Sequence, residues 1–109
     1  MTQTLTPQDT LVTVTPAVSI IESKDAYLVS LDIPGAAKDR IAVNVEQQSL
    51  HVTAEVPAAG EEAGKQYRRQ FTLADDIDPH SADARYELGV LTVTLRKKEQ
   101  YRPKQIHIQ

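Results

Sequence analysis

The stretch that decides the fold is Ile41-Ala42-Val43-Asn44-Val45-Glu46-Gln47-Gln48-Ser49-Leu50-His51-Val52-Thr53-Ala54-Glu55-Val56. In its first half Ile41, Val43 and Val45 alternate with Ala42, Asn44 and Glu46. In its second half Leu50, Val52, Ala54 and Val56 alternate with Ser49, His51, Thr53 and Glu55. Successive side chains of a strand point to opposite faces, so each half carries one apolar and one polar face. The few residues from Gln47 to Ser49 leave room only for a tight hairpin. This is an antiparallel pair with one side in water.

The same pattern recurs in both directions along the chain. Val18 and Ile20 flank Ser19; after the turn Ser23-Lys24-Asp25, Tyr27, Val29, Leu31 and Ile33 alternate with Leu28, Ser30 and Asp32. Pro34-Gly35 ends that run, because proline has no N–H for a ladder and glycine permits the turn. Downstream, Pro57–Gln66 reads as a solvated loop, and Tyr67, Arg69, Phe71 and Leu73 form one strand face. Asp75–Asp83 is an acidic connector broken by Pro79. Ala84–Leu88 is a short strand or edge stopped at Gly89, and Leu91, Val93 and Leu95 alternate with Thr92, Thr94 and Arg96. Upstream, Leu11–Thr15 is a short strand or a flexible lead. No run of ten or more residues shows sustained 3.6-residue apolar periodicity. Seven or so short alternating strands predict an all-β, immunoglobulin-like antiparallel β-sandwich.

At 109 residues the chain makes one domain. We divide it into a short N-terminal arm (1–15), the sandwich domain (16–98) and a C-terminal extension (99–109) whose Lys97–Arg102 approach is a charged linker. Folding at this size buries roughly 60–65% of the open chain's surface. With no Trp and a single Phe, the aliphatic residues fill the core. The absence of Cys excludes disulfides, thiolate metal sites and Cys nucleophiles, and fits a reducing compartment. A net charge of −3 of mixed sign offers no basic stripe for nucleic acid or an anionic membrane. No apolar run is long enough to span a bilayer and Met1–Gln8 has no signal-peptide pattern, so the expected location is cytoplasmic.

Catalytic chemistry finds no support. His51, His80 and His107 lack ligand spacing and read as solvated, and the loop of Asp75, Asp76, Asp78 and Asp83 lacks the central glycine of a calcium loop. Asp75 and Asp76 are expected to cap or solvate the connector. No serine sits on a strained elbow beside an oxyanion hole, and no phosphate-cradling glycine motif is present. No enzyme activity, cofactor or metal is expected.

Two features point to protein contacts. Arg69 shares the parity of Phe71, so it either pairs with a carboxylate, lies at a subunit contact, or reaches the solvated rim by strand twist. The tail Pro103-Lys104-Gln105-Ile106-His107-Ile108-Gln109 places Ile106 and Ile108 on one side of an extended chain, with His107 opposite. It is either a plug for an apolar groove or the last strand of its own sheet.

Several segments together resemble a known family. Asp32-Ile33-Pro34-Gly35 is similar to a D-L-P-G turn, Arg69-Gln70-Phe71-Thr72-Leu73 to an R-x-F-x-L strand, and Ala84–Leu91 to the signature A-x-x-x-N-G-V-L, continued by Thr92–Leu95. Ile106-His107-Ile108 is similar to a C-terminal I-x-I motif. These are motifs of the small heat-shock proteins, the α-crystallin-domain family, and the resemblance spans Pro16 to Gln109. It implies an ATP-independent holdase that binds non-native client proteins and self-associates as a dimer or larger homo-oligomer. It also implies that Ile106 and Ile108 dock in a groove of Ile41, Val43 and Val45 against Ala84 and Tyr86, and that Arg69 is a dimer contact. Leu88 stands where the family usually has Asn, predicting a looser turn, and Ala74 and Arg96 stand where proline is common. The 57–66 loop is short beside the strand-exchanging loop of bacterial and plant members, which argues against a swapped dimer. A co-chaperone adaptor of the same sandwich is the alternative, though such domains lack the tail motif and the G-V-L signature. An enzyme or carbohydrate-binding sandwich would need a polar constellation or aromatic platform that is missing here.

Overall fold

A computed structural model of the chain describes residues 12–101. Its strands are β1 (Val12–Val14), β2 (Val18–Glu22), β3 (Ala26–Asp32), β4 (Ile41–Glu46), β5 (Ser49–Val56), β6 (Lys65–Thr72), β7 (Asp83–Glu87) and β8 (Val90–Arg96). They form two four-stranded sheets, in the orders β1-β6-β5-β4 and β2-β3-β8-β7. All pairings are antiparallel except β1 with β6, where Val12–Val14 runs parallel to Lys65–Tyr67. This is the sandwich that the alternation predicts.

Register explains the core. Val29 faces Val93 and Leu31 faces Leu91 across β3 and β8, while Val43–Val52 and Leu50–Phe71 do the same in the other sheet. Leu31, Ile33, Leu50, Val52, Leu91, Val93 and Leu95 are all but sealed from solvent. Each fully buried side chain of this kind contributes roughly 1.5–3 kcal/mol.

Both two-residue hairpin turns bend through left-handed backbone. Gln47 (φ +54) joins β4 to β5. Between β7 and β8, Leu88 (φ +51) and Gly89 (φ +80) are both left-handed, the geometry that best follows strand twist. The turn is therefore not loosened by Leu88: Glu87 and Val90 stay paired, and Ile33 N donates to Gly89 O at 2.9 Å. The bulky side chain instead stays in a strained backbone region, fully exposed.

The connectors differ from expectation in three places. Lys65 and Gln66 belong to β6, so the loop is 57–64, closed by paired backbone bonds between Ala59 and Glu62. In the acidic connector Asp78 is the cap, accepting from His80 N at 2.9 Å above the short 3-10 turn Pro79–Ser81. Asp75 accepts from Gln48, and Asp76 from the Tyr27 hydroxyl at 3.0 and 3.2 Å. Lys97 is not part of a charged linker; it is 8% exposed, and its main chain bonds back to Asp25.

Candidate functional site

The sheets leave β4 beside β7 at one side of the sandwich and, where β1 covers only the start of β6, β2 beside β6 at the other. No ladder joins the two sheets at these sides, so inward-facing residues of the edge strands stay partly uncovered. Ile41, Val43 and Val45 pair with the buried Ala54, Val52 and Leu50, which fixes their side chains on the inner face of β4. Ala84 and Tyr86 pair with Val93 and Leu91 and point inward from β7.

Four of these five residues line one open groove. Ile41, Val43, Ala84 and Tyr86 surround a depression of about 260 Å³, together with Lys38 and Leu91. Val45 shares their strand face but does not line it. The Tyr86 hydroxyl donates to the carbonyls of Ile33 and Ala36, each at 3.2 Å, so its ring is held as a fixed wall. Lys38, in the 3-10 turn Lys38–Arg40, puts a cation at the rim. The sequence reading missed Lys38 because no strand periodicity covers it. Ile106 and Ile108, and His107 between them, lie outside the described residues.

Arg69 points inward on β6, since its partner across the ladder is the buried Val52. Its guanidinium lies over the Phe71 ring at 5.2 Å, a cation–π contact. Its Nε is buried without a hydrogen-bond partner, and among the described residues no carboxylate pairs with it. Arg68, opposite Thr53, is exposed on the outer face. The ladder beyond β6 is short: β1 covers only Lys65–Tyr67, and the outer edge is open from Arg68 to Thr72 among the described residues.

With an open inter-sheet groove, an unpaired edge and the DIPG and LGVL turns in place, comparison with known proteins decides the family. The Hsp20/alpha crystallin family model matches residues 19–109. The chain belongs to that family. Among curated relatives of this Hsp20/alpha crystallin protein, the 22.0 kDa heat shock protein of Arabidopsis thaliana is 36% identical over 102 residues, covering 83% of this chain and 52% of the relative. The 18 kDa antigen 2 of Mycobacterium avium is 32% identical over 92 residues, 77% of this chain and 67% of its own. The chain thus spans about half the length of the first of these relatives. Among solved structures, heat shock protein 16.0 from Schizosaccharomyces pombe superposes with a TM-score of 0.68 at 25% identity, covering 95% of this chain and 84% of that one. A small heat-shock protein from Xylella fastidiosa shares the fold, with a TM-score of 0.68 at 23% identity over 87% of this chain and 96% of its own.

Proposed function

We propose that this protein is an ATP-independent holdase that binds partly unfolded proteins and keeps them from aggregating. The observation that carries the reading is the open apolar groove between β4 and β7 in a member of the Hsp20/alpha crystallin family. Capturing a non-native chain competes with that chain's self-association by mass action and needs no nucleotide. Exposed apolar grooves and free strand edges are what such a binder offers, and what it must cover when idle.

The tail is that cover. Burying Ile106 and Ile108 in the groove of a neighbouring subunit gains roughly 3–6 kcal/mol gross, and ordering the tail backbone costs a comparable amount. One tail docks weakly and reversibly, and several in one oligomer hold by avidity. Arg69, carrying a buried donor without a partner, is the dimer contact. The cysteine-free chain suits a reducing compartment, and we place it in the cytoplasm. Among the described residues no helix is long and apolar enough to cross a membrane.

The test is light scattering from a heated, aggregation-prone client with this protein at comparable concentration. Scattering falls without ATP if the reading holds. Equal scattering with and without the protein, across several clients, overturns it, and a requirement for ATP favours an adaptor role.

A further inference from the structure

At the side of the sandwich away from the groove, a second apolar opening of about 180 Å³ enters between the sheets. Its walls include Ile20, Tyr27, Phe71, Leu73, Ile77 and Leu95, and Ile20 at its mouth is 56% exposed. An apolar cavity of about 150 Å³ takes up benzene, so this volume accommodates one branched aliphatic side chain. The strand edges beside it are free: β2 ends its sheet, and the outer edge of β6 is unpaired beyond Tyr67 among the described residues.

The chain leaves β8 against one wall of this cleft. Asp78 N donates to Arg96 O at 2.9 Å, Lys97 N to Asp25 O at 2.8 Å and Lys98 N to Asp76 O at 2.7 Å. The first and third of these bonds hold the exit on the 74–78 loop, whose Ala74 and Ile77 line the cleft, and the second ties it to the turn between β2 and β3. Lys98 itself lines the adjoining depression with Leu73, Ala74 and Ile77. Ile106 follows Tyr101 by five residues, a reach of about 17 Å when extended. Charge favours the approach: the tail carries Arg102 and Lys104 and no carboxylate side chain, while the 74–78 loop beside the cleft carries Asp75, Asp76 and Asp78, Asp75 lining the adjoining depression. The β4/β7 groove has Lys38 at its rim, whereas the Lys97 ammonium over the Tyr27 wall of the cleft is paired with Glu22.

We propose that the β2/β6 cleft is a second docking station for the chain's own C-terminal segment, with Ile106 or Ile108 entering beside Ile20 and Phe71 of the same molecule. One tail occupies one station at a time. In an isolated protomer the short tether favours the cleft, and in an assembly the tail moves to a neighbour's groove. The cleft is thereby closed when the protein is alone and opened by the same step that links subunits. This goes beyond oligomer linking, because a single chain suffices.

Disulfide trapping in the full chain tests it, because the parent has no cysteine and every disulfide is an introduced one. The Ile20→Cys/Ile106→Cys variant is oxidised at high dilution beside Ile21→Cys/Ile106→Cys, whose cysteine lies one residue on, on the opposite face of β2. The Ile20 variant is expected to form an intrachain disulfide about ten-fold faster than the Ile21 variant, independent of dilution. Equal rates for the two, or interchain disulfides only, overturn the proposal. A Val43→Cys/Ile106→Cys variant reports the groove separately: interchain trapping there, with no intrachain trapping at Ile20, removes the second station and leaves the oligomer-linking reading standing. As a readout without cysteines, Ile20 methyl signals of the dilute protein shift on Ile106→Ser/Ile108→Ser substitution if the tail is docked; unchanged signals count against it.

Discussion

Lys97 Nζ lies 2.7 Å from Glu22 Oε2, joining the end of β8 to the outermost strand β2. The ammonium also sits over the Tyr27 ring at 5.1 Å, so one buried cation gathers three strands at this corner. Lys97→Ala removes the packed stem together with the charge and is expected to lower stability by about 1–2 kcal/mol. Lys97→Met keeps the stem and loses less. The urea midpoints of the two variants, measured at equal slope, check the order.

Tyr27 gives a pH dependence. Burial, then the hydrogen bond and negative charge of Asp76, then Glu22, push its phenol up to about 12 from an ordinary 10. A proton held more tightly in the folded state stabilises fully below the unfolded value and is lost as pH rises through the folded one. The stabilisation from this group therefore fades between about pH 10 and about pH 12. Tyr27→Phe is expected to lose stability near neutrality but to show a shallower decline over that alkaline window, followed as melting temperature against pH.

Leu88 holds a left-handed backbone with its side chain fully in water, so it carries strain without packing. Leu88→Asn is expected to stabilise the protein by about 0.5–1 kcal/mol, since Asn tolerates that conformation. Gly89→Ala is expected to do the reverse by more than 1 kcal/mol or so, because its φ is +80 and a Cβ would meet Pro34 Cα at 3.3 Å. Thermal melts of the two variants separate these signs.

Arg69 and Arg68 are neighbours on opposite faces of β6, which makes them a matched test of the proposed dimer contact. Arg69→Ala is expected to weaken self-association about ten-fold, roughly 1.4 kcal/mol, while Arg68→Ala leaves it unchanged. Native mass measurement across a dilution series reads this directly. Identical dissociation of the two variants would show that Phe71 alone satisfies Arg69.

The tail prediction turns on position rather than composition. Ile106→Ser/Ile108→Ser is expected to shrink any assembly above the dimer while the melting temperature stays near the parent's, because the sandwich core formed by the described residues lies wholly upstream. His107→Ala is expected to change neither, because in an extended tail its position would alternate with those of the two isoleucines. A large loss of stability with unchanged assembly size would instead make the tail a strand of the domain's own sheet.

Particular residues mark the boundary between what was legible in the chain and what was not. The inward faces of Val29, Leu31 and Ile33 and of Leu50, Val52 and Ala54 were readable because strand parity is a local property with a period of two. Ile41, Val43, Ala84 and Tyr86 were readable as groove residues only through the family resemblance, since parity says which face a residue takes and not which strand lies opposite. Lys97 was misread as linker because its charge is balanced by Glu22, seventy-five positions away. The apolar cleft beside Ile20 and Phe71 carried no sequence signal, its walls coming from strands and loops far apart in the chain. By itself, then, the sequence determined an all-β sandwich, its inner faces, its turns and its family. Only the tertiary structure decided which edges face each other, and hence where apolar surface stays open. Alternation within a strand is set by local backbone geometry, whereas the pairing of edges is set by how the two sheets pack.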